Sequence, residues 1–217
     1  FSIENPVLTM QNNVLGGSVL LAFAKKCNSV KRVIYSSSSS VIGQGDGPTS
    51  PYALQKLVTE KECKIYSDIY GLDTVSLRYF NVYSEDQQAD GPYATAIANW
   101  MDSIRTGKDP FITGDGEQRR DMVHVNDVVD ANIFAMQCDQ PFNGRHFDVG
   151  TGDNISLNEV KDIVLKYHNV KFDYKPARPG EVLETRANTE PPASYGFETC
   201  VDLQTGLHSC FNFEVKK

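Results

Sequence analysis

Val33-Ile34-Tyr35-Ser36-Ser37-Ser38-Ser39-Ser40-Val41-Ile42-Gly43 is followed, after eight further residues, by Tyr52-Ala53-Leu54-Gln55-Lys56. The first stretch, led in by Lys31-Arg32, opens as a short β-branched and aromatic run, the composition of a buried strand. It then turns into a run of hydroxyls. Gly43, Gly45, Gly47 and Pro48 break the chain. Ser50-Pro51 reopens it as a helix, with serine as N-cap and proline at the first helical position. That helix runs to about Tyr70 and stops at Gly71. Strand, polar loop and helix in this order place the hydroxyls at the carboxyl end of a strand, where open α/β sheets form their binding crevices.

The rest of the chain repeats the alternation. Asn12 to Cys27 reads as a helix, with Val14, Val19, Leu20, Leu21 and Phe23 crowding one side. DTVSLRYF (73–80) reads as a strand, Tyr93 to Thr106 as a helix ended by Gly107, and PFITG (110–114) as a short strand. Arg120 to Val125 is expected as one strand, and Asn126-Asp127 as the start of a helix reaching about Gln137. HFDVG (146–150) is a strand, Ile155-Ser156 begins a helix through Tyr167, VKFDYKP (170–176) is a strand, and Asp202 to His208 a short amphipathic helix. Strands separated by helices of this length predict a parallel α/β sheet. Beyond about Asp90 the elements become more mixed, as in a smaller lobe.

Composition excludes several function classes. The apolar fraction of 40% and aromatic fraction of 10% over 217 residues suit a globular core. Net charge is −7 with the acids scattered, so no basic face is offered to nucleic acid. No apolar run approaches the ~18 residues of a membrane span. The N-terminal FSIENPVLTM lacks the basic and apolar regions of a signal peptide. The five cysteines are widely spaced without a CxxC, which fits reduced thiols and a cytoplasmic location. The four histidines lie far apart, so no metal site is expected.

Tyr52 and Lys56 stand at i and i+4, on one face of the helix. A free tyrosine, with a pKa of about 10, is a poor base at neutral pH. A neighbouring ammonium favours the phenolate. The pair therefore suits abstraction of a proton from a hydroxyl while hydride leaves the same carbon. Alone the spacing occurs by chance; the hydroxyl run before it adds weight. Arg78-Tyr79-Phe80-Asn81-Val82-Tyr83 ends a second apolar strand in an amide and aromatics.

SSSSSVIG, YALQK, LRYFNVY, GDGEQRRDMVHVNDVV and ARPGE, in this order, resemble the extended short-chain dehydrogenases/reductases, that is, the NAD-dependent epimerase/dehydratase family. Within it the chain is most similar to the UDP-hexose and UDP-N-acetylhexosamine 4-epimerases. The resemblance implies a Rossmann-type doubly wound parallel sheet with a smaller mixed α/β C-terminal substrate lobe. Residues 1–90 would belong to the NAD-binding domain, with about 108–136 returning to it, and 91–217 mainly to the nucleotide-sugar lobe. NAD is the implied cofactor and a UDP-sugar the implied substrate. Tyr52 would be the catalytic base and acid, Lys56 its tuner and a ligand of the nicotinamide ribose, and Ser38 the catalytic serine touching the sugar. Asn12, Ser36, Ser37 and Phe80 would meet the cofactor. Asn81, Arg120, Arg178 and Glu181 would meet the substrate, the two arginines clamping its diphosphate. Relatives form homodimers, so the resemblance implies a homodimer here, through helices 12–27 and 51–70.

No GxGxxG or GxxGxxG appears after a first strand. The family's first strands and glycine fingerprint are expected before Phe1, so the sheet is read as a partial one. The loop between Gly43 and Tyr52 is short for the family. No carboxylate lies between Ser36 and Gly43, which argues against a 4,6-dehydratase or a decarboxylase. A UDP-sugar-binding or dimerising remnant without catalysis, and another reaction of the family such as dehydration or reduction, are the alternative readings.

Overall fold

The computed structural model describes residues 1–43, 47–91, 94–177 and 182–213. Helices α1 (Pro6–Met10) and α2 (Gly16–Lys26) are joined through a π-helical turn, Gln11–Leu15. The helix begins before Asn12 because Pro6 starts it: its ring presets φ, and the N–H it lacks would have had no partner in a first turn. Next come β1 (Arg32–Ser38), a 3₁₀ turn at Ser39–Val41, α3 (Pro51–Tyr70), β2 (Asp73–Tyr79) and β3 (Asn81–Tyr83). They are followed by α4 (Ala96–Arg105), β4 (Phe111–Thr113), β5 (Arg119–Arg120), β6 (Met122–His124), α5 (Val125–Gln137) and β7 (Arg145–Val149). The remaining elements are β8 (Ile155–Ser156), α6 (Leu157–Val164), β9 (Asp173–Lys175), α7 (Glu190–Ala193) and α8 (Leu203–Phe211).

The ends of α3 follow from its local sequence. Ser50 Oγ accepts the Ala53 N–H at 3.2 Å, and Gly71 closes the helix in the left-handed region at φ +67°.

Two compact units result. The first comprises Phe1–Tyr79, Val129–Val149 and Asn188–Glu198. It is built on a parallel sheet of order β1-β2-β7. Leu21, Ala24, Cys63 and Leu72 form an apolar cluster within it. Pro6–Lys26 is long and apolar enough, by length and composition alone, to cross a membrane, which no single run of the sequence suggested. In this fold it lies along α3: Asn13 Nδ2 donates to Gln55 Oε1 at 3.0 Å, and Ser18 Oγ to Glu62 Oε1 at 2.6 Å.

The second unit comprises Phe80–Val128, Gly150–Ala187 and Thr199–Lys217. Its strands pair two by two: β3 with β6, β4 with β9, and β5 with β8. Trp100, Met101, Ile104, Val160, Leu207 and Phe211 are among its core residues. The expected strand Arg120–Val125 is broken at Asp121. That carboxylate is fully buried and accepts the N–H groups of Thr151, Gly152 and Ala187, so the residue becomes a junction and the chain bends there. The helix expected from Ile155 begins at Leu157, because Ser156 and Glu159 form a capping box ahead of it.

The boundary between units lies at Tyr79 and Phe80, and not near Asp90. The segment that returns to the first unit starts at Val129, whereas 108–128 stays in the second. Short strands β4 and β6 find their partners in β9 and β3, which keeps that stretch out of the parallel sheet.

Candidate active site

In the first unit, Tyr52 and Lys56 share a face of α3 beside the end of β1. Lys56 Nζ donates to the carbonyl oxygen of Ser36 at 2.8 Å. It stands 5.7 Å from the centre of the Tyr52 ring and 5.1 Å from that of Tyr35. Partial burial lowers the pKa of Lys56 from its ordinary value, because desolvation penalises the ammonium. Tyr35 carries a buried hydroxyl with no hydrogen-bond partner among the described residues, and burial raises its pKa. Thr59, its polar neighbour, donates instead to Asn13 O and Gln55 O.

The serines separate by strand alternation. Ser36 is exposed, and its hydroxyl lies 3.1 Å from the Tyr79 hydroxyl, which also contacts Asn132. Ser37 faces the other way: it is 4% exposed and donates to Glu60 Oε1 at 2.6 Å. Its side chain, expected at the cofactor, is committed to the interior. Ser38 caps the 3₁₀ turn, accepting from Ser40 N and Ser40 Oγ at 3.3 and 3.0 Å. Its own O–H remains a donor, and the turn it caps packs against α3.

Asn12 is exposed on the π-helical turn and lines a cleft of about 260 Å³ together with Gly16, Gly17, Tyr35 and Lys56. A β-carbon at Gly17 would come within 2.8 Å of the Thr59 methyl, so glycine lets this helix approach α3 closely.

In the second unit, Asn81, Thr95, Trp100, Phe111 and Arg120 line a cavity of about 190 Å³. Arg120 Nη1 donates to Arg119 O at 2.9 Å, which orients the guanidinium from β5. Asn81 Nδ2 donates to Asp121 O and Thr185 Oγ1, at 2.8 and 3.0 Å. The Asn81 amide N–H donors therefore hold the fold together. Phe80, expected against the nicotinamide, is 4% exposed, and a ring packed that deeply presents almost no surface to a ligand. Arg178 and Glu181 lie outside the described residues.

Two residues of the site's support escaped the motif reading. Glu60 is 5% exposed and Arg78 binds it through two hydrogen bonds, at 2.8 and 2.7 Å. The signal for Glu60 was its place four residues after Lys56, on the same helical face.

A family model described as the NAD dependent epimerase/dehydratase family matches residues 1–150. A putative UDP-glucose 4-epimerase of Methanocaldococcus jannaschii is 34% identical over 98% of this chain and 72% of its own length. The chain belongs to the NAD-dependent epimerase/dehydratase family. Solved structures of family members superpose closely. The UDP-glucose 4-epimerase of Thermotoga maritima with UDP-glucose is 30% identical, with a TM-score of 0.90 over 97% of this chain and 72% of that one. The Thermus thermophilus UDP-glucose 4-epimerase in complex with NAD is 27% identical, with a TM-score of 0.84 over 97% of this chain and 72% of that one. The expected Rossmann-type α/β fold is therefore confirmed, and NAD is the cofactor of the family.

The residues present fit the ribose end of NAD. Lys56 uses one of its three N–H donors on Ser36 O, which leaves two for a ribose diol. Gly16, Gly17 and Asn12 line the adjoining cleft with it.

Proposed function

We propose that this chain epimerises C4 of a UDP-hexose. The observation that carries the reading is the placement of Tyr52 and Lys56 on one face of α3, with the Lys56 ammonium seated on the Ser36 carbonyl beside Ser38. NAD, when bound, would supply the hydride acceptor and donor that lets the sugar carbon be oxidised and then reduced on its opposite face. Tyr52 takes the proton from the 4-hydroxyl as hydride departs, and returns it when hydride comes back, so proton and hydride balance over the cycle. The Lys56 charge favours the phenolate, and its spare donors hold the ribose. The Ser38 O–H donates to the reacting sugar oxygen, stabilising charge that develops there.

The first unit is read as the NAD-binding part and the second as the nucleotide-sugar part. Arg120, from the wall of the second unit's cavity, grips the diphosphate with Arg178, while Asn81 and Glu181 add contacts to phosphate and ribose. A run of hydroxyls at 36–40, with no carboxylate, supplies no acid for elimination, which favours epimerisation over dehydration. Exposed Leu54, Ile65 and Ile69 on α3 suit the pairing of two copies through this helix; light scattering on the purified protein reads that state directly.

The test is NMR identification of products from UDP-glucose, UDP-galactose and their N-acetylhexosamine counterparts, with wild type and Tyr52→Phe. Conversion by the wild type and none by Tyr52→Phe is expected. Undiminished conversion by Tyr52→Phe, or none by the wild type on any of the four, rejects the reading.

A further inference from the structure

Glu60 is the most deeply placed charge near the candidate site, and the mechanism does not use it. Its side chain is 4% exposed, and both carboxylate oxygens are occupied. Oε1 accepts from Ser37 Oγ at 2.6 Å and from Arg78 Nε at 2.8 Å, and Oε2 accepts from Arg78 Nη2 at 2.7 Å. Ser37 on β1 and Arg78 on β2 are register partners, and Arg78 is the partner of Asp148 on β7. One carboxylate of α3 thus grips two neighbouring strands at one rung, and Arg78 Nη1 extends the rung to Asp148 Oδ1 at 3.9 Å.

That rung lies one residue below Ser38, whose register partner is Tyr79. The tie between Glu60 and Ser37 also runs alongside the tie between Lys56 and Ser36. Each joins α3 to β1, and they sit one helical turn and one strand residue apart. A buried ion pair gains little net stability over well-packed apolar residues, because desolvation offsets its attraction. What it adds here is a fixed spacing, since both charges are satisfied in only one arrangement of helix and strands.

We propose that Glu60 is a positioning residue: with Ser37 and Arg78 it latches α3 to the sheet at the spacing that seats Lys56 on the Ser36 carbonyl and aligns Tyr52 with Ser38. The proposal rests on the Tyr52–Lys56 reading above. The latch touches neither sugar nor cofactor. It acts by holding the helix that carries the catalytic pair, and a shift of about 1 Å in such a pair costs up to about a hundredfold in rate.

Ser37→Ala is the sharpest probe, because it cuts the helix–strand tie and leaves every charge in place. Among the described residues, the titratable side chains placed at Lys56 are Tyr52 on its own helix and Tyr35 on β1, with Cys63 lining the same cleft; all remain in this variant. Lysine labelled at the ε-carbon, with the Lys56 signal assigned by its loss in Lys56→Arg, reports the seat by NMR titration. In the wild type Lys56 titrates below the ordinary lysine range. In Ser37→Ala it moves toward that range, kcat per folded molecule falls about tenfold and KM for UDP-hexose stays within about twofold. Ser37→Thr, which restores the hydroxyl, recovers the wild-type titration. A folded Ser37→Ala protein with an unmoved Lys56 signal, or with unchanged kcat, overturns the proposal. If the wild type converts no UDP-hexose, the epimerase reading fails by itself and the lysine titration still decides the latch.

Discussion

Lys56 Nζ lies 2.8 Å from the carbonyl oxygen of Ser36, so the residue that would tune Tyr52 is also a tie between α3 and the carboxyl end of β1. The carbonyl holds the ammonium 5.7 Å from the centre of the Tyr52 ring, where its charge would favour the phenolate. Lys56→Met removes the charge and keeps most of the stem. Without the cation the phenolate is less favoured, so the acid limb of the pH–rate profile moves to higher pH. We expect kcat at pH 7 to fall by about a hundredfold and part of it to return by pH 9. Steady-state rates from pH 6 to 10 check this, and an unmoved acid limb would remove Lys56 from the tuning role.

Asp148 makes a pH-dependent contribution whose sign can be worked out. Its side chain is 10% exposed, and burial raises its pKa above the ordinary aspartate value, against the opposing pull of the Asn188 N–H and Arg78. The folded state therefore binds this proton more tightly than the unfolded chain. Stability contributed by Asp148 is fully present below the unfolded value of about 3.8 and is lost as pH rises through the raised folded value. Asp148→Asn keeps an acceptor for the Asn188 N–H and has no such loss. Urea midpoints for wild type and variant should diverge in the variant's favour as pH rises above the unfolded value, then run parallel once the folded carboxyl is ionised. A constant difference over that range contradicts the assignment.

The parallel sheet and its long helix were legible because each signal was local: β-branched runs at 33–35 and 74–77, Ser50-Pro51 at one end of α3 and Gly71 at the other. The second unit was less legible. Its strands are two or three residues long, too short for a period to show, and their partners lie far away in sequence, as β4 finds β9. Asp121 looked like one residue of a strand, since nothing near it announces the N–H groups of Thr151, Gly152 and Ala187 that capture its carboxylate. The site divides in the same way. Tyr52, Lys56 and Ser38 were placed by spacing and family likeness, but which way Ser37 and Phe80 point depends on strand alternation and packing that the motifs do not encode.

Tyr83 is 1% exposed, and its hydroxyl is buried without a hydrogen-bond partner among the described residues. A β-carbon added at Gly206 would lie 2.1 Å from that oxygen, so the space around it is full. An unsatisfied buried hydroxyl costs about 1–3 kcal/mol, and deleting it leaves only a small void. Tyr83→Phe should be neutral or raise Tm by a few degrees. Gly206→Ala should lower Tm, and the double variant should recover part of that loss because the clashing oxygen is gone. Calorimetric scans of the wild type and the three variants check the coupling; additive shifts would refute it.

Arg120 lines the cavity that Trp100 and Phe111 also form, and its Nη1 is held by the backbone oxygen of Arg119. A guanidinium oriented by the chain itself arrives at a diphosphate with little ordering still to do, which favours paired, charge-assisted hydrogen bonds. Arg120→Ala should weaken UDP binding by about 10- to 100-fold, the loss of one or two bonds to a charged group. Arg120→Lys should recover only part of it, since an ammonium offers a point charge without the planar fork. NAD affinity should not change, because Asn12, Ser36, Tyr52 and Lys56, the residues read as meeting NAD, lie in the other unit. Calorimetric titration with UDP and with NAD separately reads both quantities. Equal losses for the two ligands would mean that the substitution disturbs the fold, and intact UDP binding would take Arg120 out of the diphosphate site.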